Sequence, residues 1–312
     1  HVVLTFDIEG KNDVRDPRSG SDVYTNNSAL CVADYMASSL YGIGAEIGSD
    51  DGLDEADLIA AANIADEDVP LDAGGSEKRY KCNGIVTTDQ TPKVIIEALL
   101  SSMGGRAVWP GGAWKLRAAA YRTPAVALAG DDVREAGISL QSRISRADNF
   151  NGVRGRFISP ENAWQPADFP ALQSAVSMAE DQGEEVWLDI SLPFSTSAVA
   201  AQRLAKIELV RVRMQFTVRL AGKLKAWRAA AGETVTMTYA RWGWVDKPFE
   251  VVDVSLSLAD GSLLPELTLR ETSPQVYSWA ASEEAIYAAA PPTTLPSPFK
   301  VPSAGAPQLV EE

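Results

Sequence analysis

The stretch YKCNGIVTTDQTPKVIIEALLSSMGGRAVWPGGAWKL, residues 80–116, decides the fold of this 312-residue chain. It predicts a strand, a helix and a hairpin in succession. Pro92 falls in the first turn of the helix, where a missing N–H does no harm, and apolar residues recur at helical spacing as far as Met103. Glycines at 104–105 end the helix, and the hairpin turns around residues 110–112.

The same stretch argues against a phosphate site. A strand that runs into a helix binds phosphate when glycines precede the helix, because the free N–H groups of the first turn then face the ligand. Here the glycines follow the helix, and the chain contains neither G-x-G-x-x-G nor G-K-S/T. The stretch is therefore interpreted as scaffold.

Outward from this stretch, the patterns predict an α+β fold in a chain long enough for two or three domains. Helices are predicted with Ser28 and Ser197 as N-caps and, between them, with Asp54 in the first turn. Four or five strands are predicted within residues 231–279. The predicted segments are an N-terminal β-arm (1–27), an acidic helical segment (28–75), an α+β domain (76–195), a helix followed by a β-barrel-like domain (196–290) and a Pro-rich C-terminal linker (291–312).

Charge is concentrated at one end of the chain. Residues 1–75 hold 16 acidic and three basic residues, whereas the other 237 residues hold 26 and 25. A repulsive field of this kind argues against nucleic-acid binding by that segment. Its density of carboxylates suits a solvated helix cap better than a calcium loop, because the spacing of an EF-hand is missing. The candidate acidic surface consists of Asp50, Asp51, Asp54, Glu55, Asp57, Asp66, Glu67 and Asp68.

Residues 203–228 have the opposite character, with eight Lys or Arg and only Glu208 as an acid. Such a run is interpreted as a solvated helix face, as a set of cations paired with distant acids, or as a surface for an anionic partner. The candidate basic interface consists of Arg203, Lys206, Arg211, Arg213 and Arg219.

The sequence predicts no catalytic, cofactor-binding or metal-binding residues. The single histidine, His1, leaves little scope for a catalytic triad. Cys31 and Cys82 lack metal-ligand spacing and are interpreted as two buried thiols. No apolar run is long enough to predict a membrane span. Eight tryptophans leave sugar stacking open, although Trp242 and Trp244 on one strand are more typical of packing.

Several phrases resemble the tail-tip hub proteins of long-tailed phages, the lambda-type tip attachment (host-specificity) protein J family. VRDPRSGSDVYTNNSALCVADYMASSLYGIG, residues 14–44, is similar to the family's DPRTG and YTNNPAL phrases with their closing GIG. Residues 80–116 resemble its strand–helix–hairpin piece. AQRLAKIEL at 201–209 and the WGW to YSW segment at 242–279 resemble its later domains. The resemblance covers residues 14–287 in the right order.

The resemblance implies β-rich, baseplate-hub-like barrel domains with helix-containing α+β insertions. It implies a homotrimeric, non-enzymatic virion component at the distal end of the tail, made in the host cytoplasm and needing no cofactor. Its implied partners are the distal tail protein ring, the central tail fibre and the tape-measure protein, with DNA passing through without specific binding. Residues 1–27 and 196–290 are expected to form the trimer contact, because unpaired edge strands invite pairing between chains.

Two other hypotheses remain open from the sequence. A carbohydrate-binding or carbohydrate-cleaving tail protein would need an exposed tryptophan beside two carboxyl groups in a cleft. A generic soluble enzyme would need a catalytic constellation that the sequence does not display.

Overall fold

The computed structural model describes residue 8, residues 10–259 and residues 262–288. The predicted linker at 291–312 and most of the first ten residues of the predicted β-arm lie outside the described residues. The described residues form five α-helices: Ser28–Ala37 (α1), Glu55–Ala65 (α2), Pro92–Ser101 (α3), Ala175–Glu180 (α4) and Ala198–Arg213 (α5).

The helix starts follow from their capping residues. Ser197 caps α5 by accepting a backbone N–H from the first turn, as predicted. Asp54, predicted within the first turn of α2, is instead its cap and accepts from the backbone N–H of Asp57. The expected cap at Ser28 is wrong. The Asn27 side chain caps α1 instead, accepting from the backbone N–H groups of Ala29 and Leu30. The buried Ser28 hydroxyl has no hydrogen-bond partner among the described residues.

The strands described are Val14–Asp16 (β1), Ser21–Val23 (β2), Asp68–Pro70 (β3), Ser76–Lys78 (β4), Arg106–Val108 (β5), Lys115–Arg117 (β6), Val126–Ala129 (β7), Val133–Gln141 (β8), Gly152–Ser159 (β9), Gln165–Asp168 (β10), Leu172–Gln173 (β11), Trp187–Leu192 (β12), Thr217–Gly222 (β13), Thr234–Tyr239 (β14), Trp244–Ala259 (β15) and Ser262–Glu271 (β16). The predicted hairpin of residues 106–117 is confirmed as β5 paired with β6. Strands β1 with β2 and β3 with β4 form two more short ribbons.

The largest sheet has six strands in the order β7-β14-β15-β16-β13-β8. Its pairings are antiparallel except for the parallel pair β7–β14. Residues 130–132 alone separate β7 from β8, the two outermost strands. So short a link holds both ends of the sheet at one corner, and the sheet therefore curls into a half-barrel. A second sheet is centred on β9, with β12 parallel to it and β10 and β11 antiparallel.

Two hydrophobic cores follow from this arrangement. One lies inside the curled sheet and contains Val218, Val235, Phe249 and Leu269, all fully buried. The other packs α1, α2, α3 and α5 against the second sheet. The predicted α+β class, with a curled β-barrel-like sheet and few helices, is confirmed.

Two predictions about organisation have different outcomes. Residues 231–279 contain three strands rather than four or five, because β15 continues without a break through Pro248, which stays in register with Thr236 of β14. The five segment boundaries stay a prediction. The helical core draws on four of these segments, since its members run from Val14 to Val276.

Candidate assembly surface

Strands β15 and β16 continue beyond the body of the curled sheet. The pairing of β14 with β15 ends at Glu250, and the pairing of β13 with β16 ends at Glu266. From there to the turn, each strand of the hairpin pairs only with the other. Residues 252–259 and 262–265 thus form a hairpin extension, whose longer strand spans about 25 Å.

The hairpin extension has an apolar face that nothing in the described chain covers. A bulge between Val251 and Asp253 shifts the register, so that Val254 faces the core opposite Leu267. Because strand side chains alternate, Leu256 and Leu258 continue the same face outward. Their residues are 51% and 76% exposed. The core face of the sheet therefore projects into solvent as a short apolar stripe.

The curled sheet also has an open edge at β8. This nine-residue strand pairs with β13 on one side, and no described strand pairs with its other side. Ile138 and Leu140 point toward the core, opposite Leu220 and Val218. The edge of β8 is thus nearly as long as the unpaired edge of β15 in the hairpin extension, and it has an apolar face on the same side of the sheet.

The opposite face of the sheet carries a polar groove. This groove of about 490 Å³ runs across β8, β13, β16 and β15 and is lined mainly by small and polar residues. Arg219, from the candidate basic interface, is exposed there beside Asp253 and Glu266. No described tryptophan lines the groove, so it lacks the stacking platform that the carbohydrate hypothesis requires.

The other four candidate basic residues are held by acids within the chain. Arg203 is only 3% exposed and pairs with Glu77 at 2.6 Å, so it is part of the interior and not of a free surface. Lys206 pairs with Glu283, Arg211 with Glu208 and Arg213 with Asp181, each at 2.6 Å. That another chain contacts Lys206, Arg211, Arg213 and Arg219 stays a prediction.

Arg213 takes part in a clamp between three elements. The Asp181 carboxylate, at the C-terminus of α4, accepts from Arg213 Nη2 at 2.6 Å and from Asn151 Nδ2 at 2.9 Å. These hydrogen bonds lower the pKa of Asp181 to about 2. The clamp fixes the end of α5 against α4 and the start of β9.

The acidic candidates divide into paired and unpaired groups. Asp54 and Asp57 pair with Lys115, and Asp66, Glu67 and Asp68 pair with Arg18, Arg79 and Lys78. Asp50, Asp51 and Glu55 are exposed and have no ion-pair partner among the described residues. The excess negative charge of the acidic helical segment therefore lies on these carboxylates, at one end of α2 and in the loop before it.

The tryptophans have mixed surroundings. The rings of Trp242 and Trp244 lie 4.8 Å apart, and Trp244 lies 5.2 Å from the buried Phe249. This matches the predicted packing role. The expectation that both lie on one strand is wrong, because Trp242 belongs to the turn before β15 and only Trp244 lies on the strand. Trp109 and Trp164 are about half exposed. Cys31 and Cys82 are free thiols, half-buried and buried respectively.

The described residues contain no group of three or more His, Cys, Asp or Glu side chains able to hold a metal ion. Their helices are all too short or too polar to cross a membrane.

The region that includes α3, α5 and most of the curled sheet decides the family. Residues 91–251, just over half of the chain, match the model of a family described as "Putative phage tail protein". The chain belongs to this phage tail protein family. The matched range ends where the hairpin extension begins, so the extension lies outside it.

The chain is also similar to an individual phage protein. The chain is 24% identical over 204 residues to the baseplate hub protein pb3 of Escherichia phage T5, covering 65% of this chain and 21% of that protein. This phage tail protein thus spans about a fifth of the length of that relative.

Solved structures show a similar fold. A chain from the virion of a native gene transfer agent particle matches with a TM-score of 0.50 at 18% identity, covering 62% of this chain and 42% of that one. A looser match, with a TM-score of 0.46 at 16% identity, is the tail protein from Neisseria meningitidis MC58, with coverage of 63% and 60%.

The sequence interpretation missed the hairpin extension. The signal was available as the alternation VDVSLSLA at residues 252–259, which places valine and leucine on one face and Asp or Ser on the other. Alternation predicts a half-buried strand. It does not reveal that no described residue covers the apolar face, because that depends on where the neighbouring strands end.

Proposed function

We propose that this tail protein is a tail-tip hub of the lambda-type tip attachment family. In this proposal it is a structural, non-enzymatic component of the virion, made in the host cytoplasm and placed at the distal end of the tail. It closes the tail tube as a homotrimer, with the distal tail protein ring above and the central tail fibre below. The tape-measure protein contacts it inside the tube.

The observation that carries the proposal is the presence, on one sheet, of two different edges with which no described strand pairs. The edge of residues 252–259 is apolar on its core side. The β8 edge is also apolar on its core side and has nearly the same length. Pairing the first edge with the β8 edge of the next copy would extend the sheet and cover Leu256 and Leu258. A contact between two different patches is heterologous and closes into a ring when the rotation permits.

The charge distribution supports a role as a conduit. The unpaired carboxylates of Asp50, Asp51 and Glu55 would repel the DNA backbone if they face the lumen. An acidic wall lets DNA pass without binding it. Tight binding would instead need a surplus of free Lys and Arg, but four of the five candidate cations are already paired within the chain.

The experiment that tests the proposal is the mass of the native assembly, measured by size exclusion with light scattering at high protein concentration. The native chain should give three copies. The double variant Leu256→Glu, Leu258→Glu should give one copy with an unchanged circular dichroism spectrum, because charge on the apolar stripe opposes its burial. Val245→Glu is the matched control, since Val245 is 77% exposed on the same strand but outside the hairpin extension.

Two results would overturn the proposal. One is a trimer in the double variant, which would remove the hairpin extension from the contact. The other is hydrolysis of host-surface glycans by the purified chain, which would transfer the function to the carbohydrate hypothesis.

A further inference from the structure

The helical core and the curled sheet meet at a junction that is crowded with arginines. A cavity of about 20 Å³ lies there, lined by Arg106, Arg117, Arg122, Arg211 and Glu250 among others. Its lining combines residues next to α3, residues of α5 and residues of the curled sheet. The assembly surface described above does not explain why so much positive charge is buried at this junction.

The carboxylates at this junction are shared among too many cations. Asp57 is the ion-pair partner of Arg117, of Lys115 at 3.2 Å and of Arg122 at 3.7 Å. Arg117 is bonded to the same carboxylate oxygen that Arg122 approaches. Arg122 is consequently left with a long and partly satisfied ion pair.

The other side of the cavity repeats the pattern. Glu250 pairs with Arg106 at 2.9 Å and with Arg270 at 3.5 Å, and Glu208 pairs with Arg211 at 2.6 Å. Counting Asp54, which lies 3.7 Å from Lys115, and Glu233, whose charge acts on Arg122, five carboxylates serve six cations. Positive charge is in excess at a place that is largely shielded from water.

Several guanidinium N–H groups at the cavity have no acceptor in the described chain. These buried donors are Arg117 Nε, Arg122 Nη2 and Arg211 Nε. Arg117 is only 7% exposed. A guanidinium group donates hydrogen bonds and accepts none, so these atoms call for an acceptor. A buried donor without an acceptor destabilises the fold.

The electrostatic consequences agree with the geometry. Burial, and then the charge of Arg117, lowers the pKa of Arg122, although Asp57 and Glu233 act in the opposite direction. Burial, and then the charge of Arg211, lowers the pKa of Arg270. At Arg122 and Arg270 the acids of the junction therefore do not offset burial and the repulsion from neighbouring arginines. At Arg211 burial acts to lower the pKa, but Glu208, Tyr277 and Glu250 outweigh it and raise the pKa overall.

We propose that this cavity binds a monatomic anion, chloride in solution, between Arg117, Arg122 and Arg211. An anion supplies the acceptor that the three N–H groups lack and reduces the excess positive charge. The size of the cavity selects the ligand, because a space this small holds about one water-sized particle and has no room for a tetrahedral oxyanion. The bound anion ties the helical core to the curled sheet, independently of any assembly role.

The first test is thermal unfolding at constant ionic strength while gluconate is exchanged for chloride. The midpoint of the native chain should rise with chloride and then saturate, because a ligand that binds only the folded state stabilises it by mass action. Arg122→Gln should abolish the rise. Arg154→Gln is the matched control, since Arg154 forms an exposed ion pair with Asp189 away from the cavity, and it should retain the full response.

The second test locates the ion directly. A crystal of the full chain grown in bromide should give an anomalous peak within hydrogen-bonding reach of Arg117 and Arg122. This measurement also decides the matter if Arg122→Gln does not fold. No peak at the junction, or a chloride response that is identical in the native chain and in both variants, would overturn the proposal.

Discussion

Asn27 joins two helices through a single buried side chain. Its oxygen accepts from the backbone N–H groups of Ala29 and Leu30, and its amide nitrogen donates to the Ala62 carbonyl at 2.9 Å. Asn27→Ala should lower the free energy of unfolding by about 2–4 kcal/mol, because it removes a cap and leaves buried donors unpaired. Urea unfolding followed by circular dichroism measures this change.

Matched variants separate the two roles of Asn27. Asn27→Ser should recover part of the loss, since serine can cap α1 but cannot reach Ala62. Ser28→Ala should change stability by less than about 0.5 kcal/mol, because removal of an unpaired hydroxyl leaves no partner unsatisfied. A large loss in Ser28→Ala would show that the cap has been assigned to the wrong residue.

The same position shows how far sequence reasoning extends at the residue scale. Asn27 and Ser28 are adjacent and are both common capping residues, so the local pattern locates the start of the helix only to within one residue. The hydrogen bond to Ala62, 35 positions away, distinguishes them. That contact is absent from the sequence pattern because it depends on how α1 packs against α2.

At the scale of elements, the clamp at Asp181 predicts a pH dependence. The folded-state pKa of about 2 lies below the ordinary value of 3.8. The clamp therefore contributes its full stability above about pH 4, and loses it as the pH falls toward 2. Asp181→Asn should lower the thermal midpoint by a few degrees at pH 7. Between pH 4 and 2, the thermal midpoint of this variant should fall less steeply with decreasing pH than that of the native chain. Calorimetry across this range measures both effects.

The control for this prediction is Asp51→Asn, which removes an exposed carboxylate that has no ion-pair partner among the described residues. It should leave the acid limb of the stability curve unchanged. Equal acid limbs in the native chain and in Asp181→Asn would contradict the lowered pKa of the clamp.

Elements with local signals were predictable, and elements with distant partners were not. The hairpin of β5 and β6 was found because its turn residues and both strands lie within twelve positions. The length of β15 was missed because Pro248 indicates a break in the local pattern. In the structure Gly243 adopts a left-handed turn just before the strand, and Pro248 is accommodated opposite β14.

At the scale of the whole molecule, composition divided the chain into segments that packing then combined. The helical core takes Val14, Leu58, Leu116 and Leu204 from four predicted segments. Hydrophobic periodicity identifies which residues are buried, but it carries no information about which distant segments share a core. The excess of arginine at the junction escaped the sequence interpretation for the same reason, since Asp57, Arg122 and Arg211 are far apart in the chain.

The proposed ring predicts how defective copies behave in a mixture. If the hairpin extension of one copy pairs with the β8 edge of the next, a Leu256→Glu, Leu258→Glu copy cannot donate its extension but still presents an intact β8 edge. Mixed with native chains, it should therefore enter assemblies as a terminal subunit that prevents closure, and native mass spectrometry should detect dimers of one native and one variant copy. A contact between two hairpin extensions would be isologous, and the variant would then remain monomeric in every mixture. Native and Val245→Glu chains should instead mix freely within closed trimers, because that substitution leaves both edges intact.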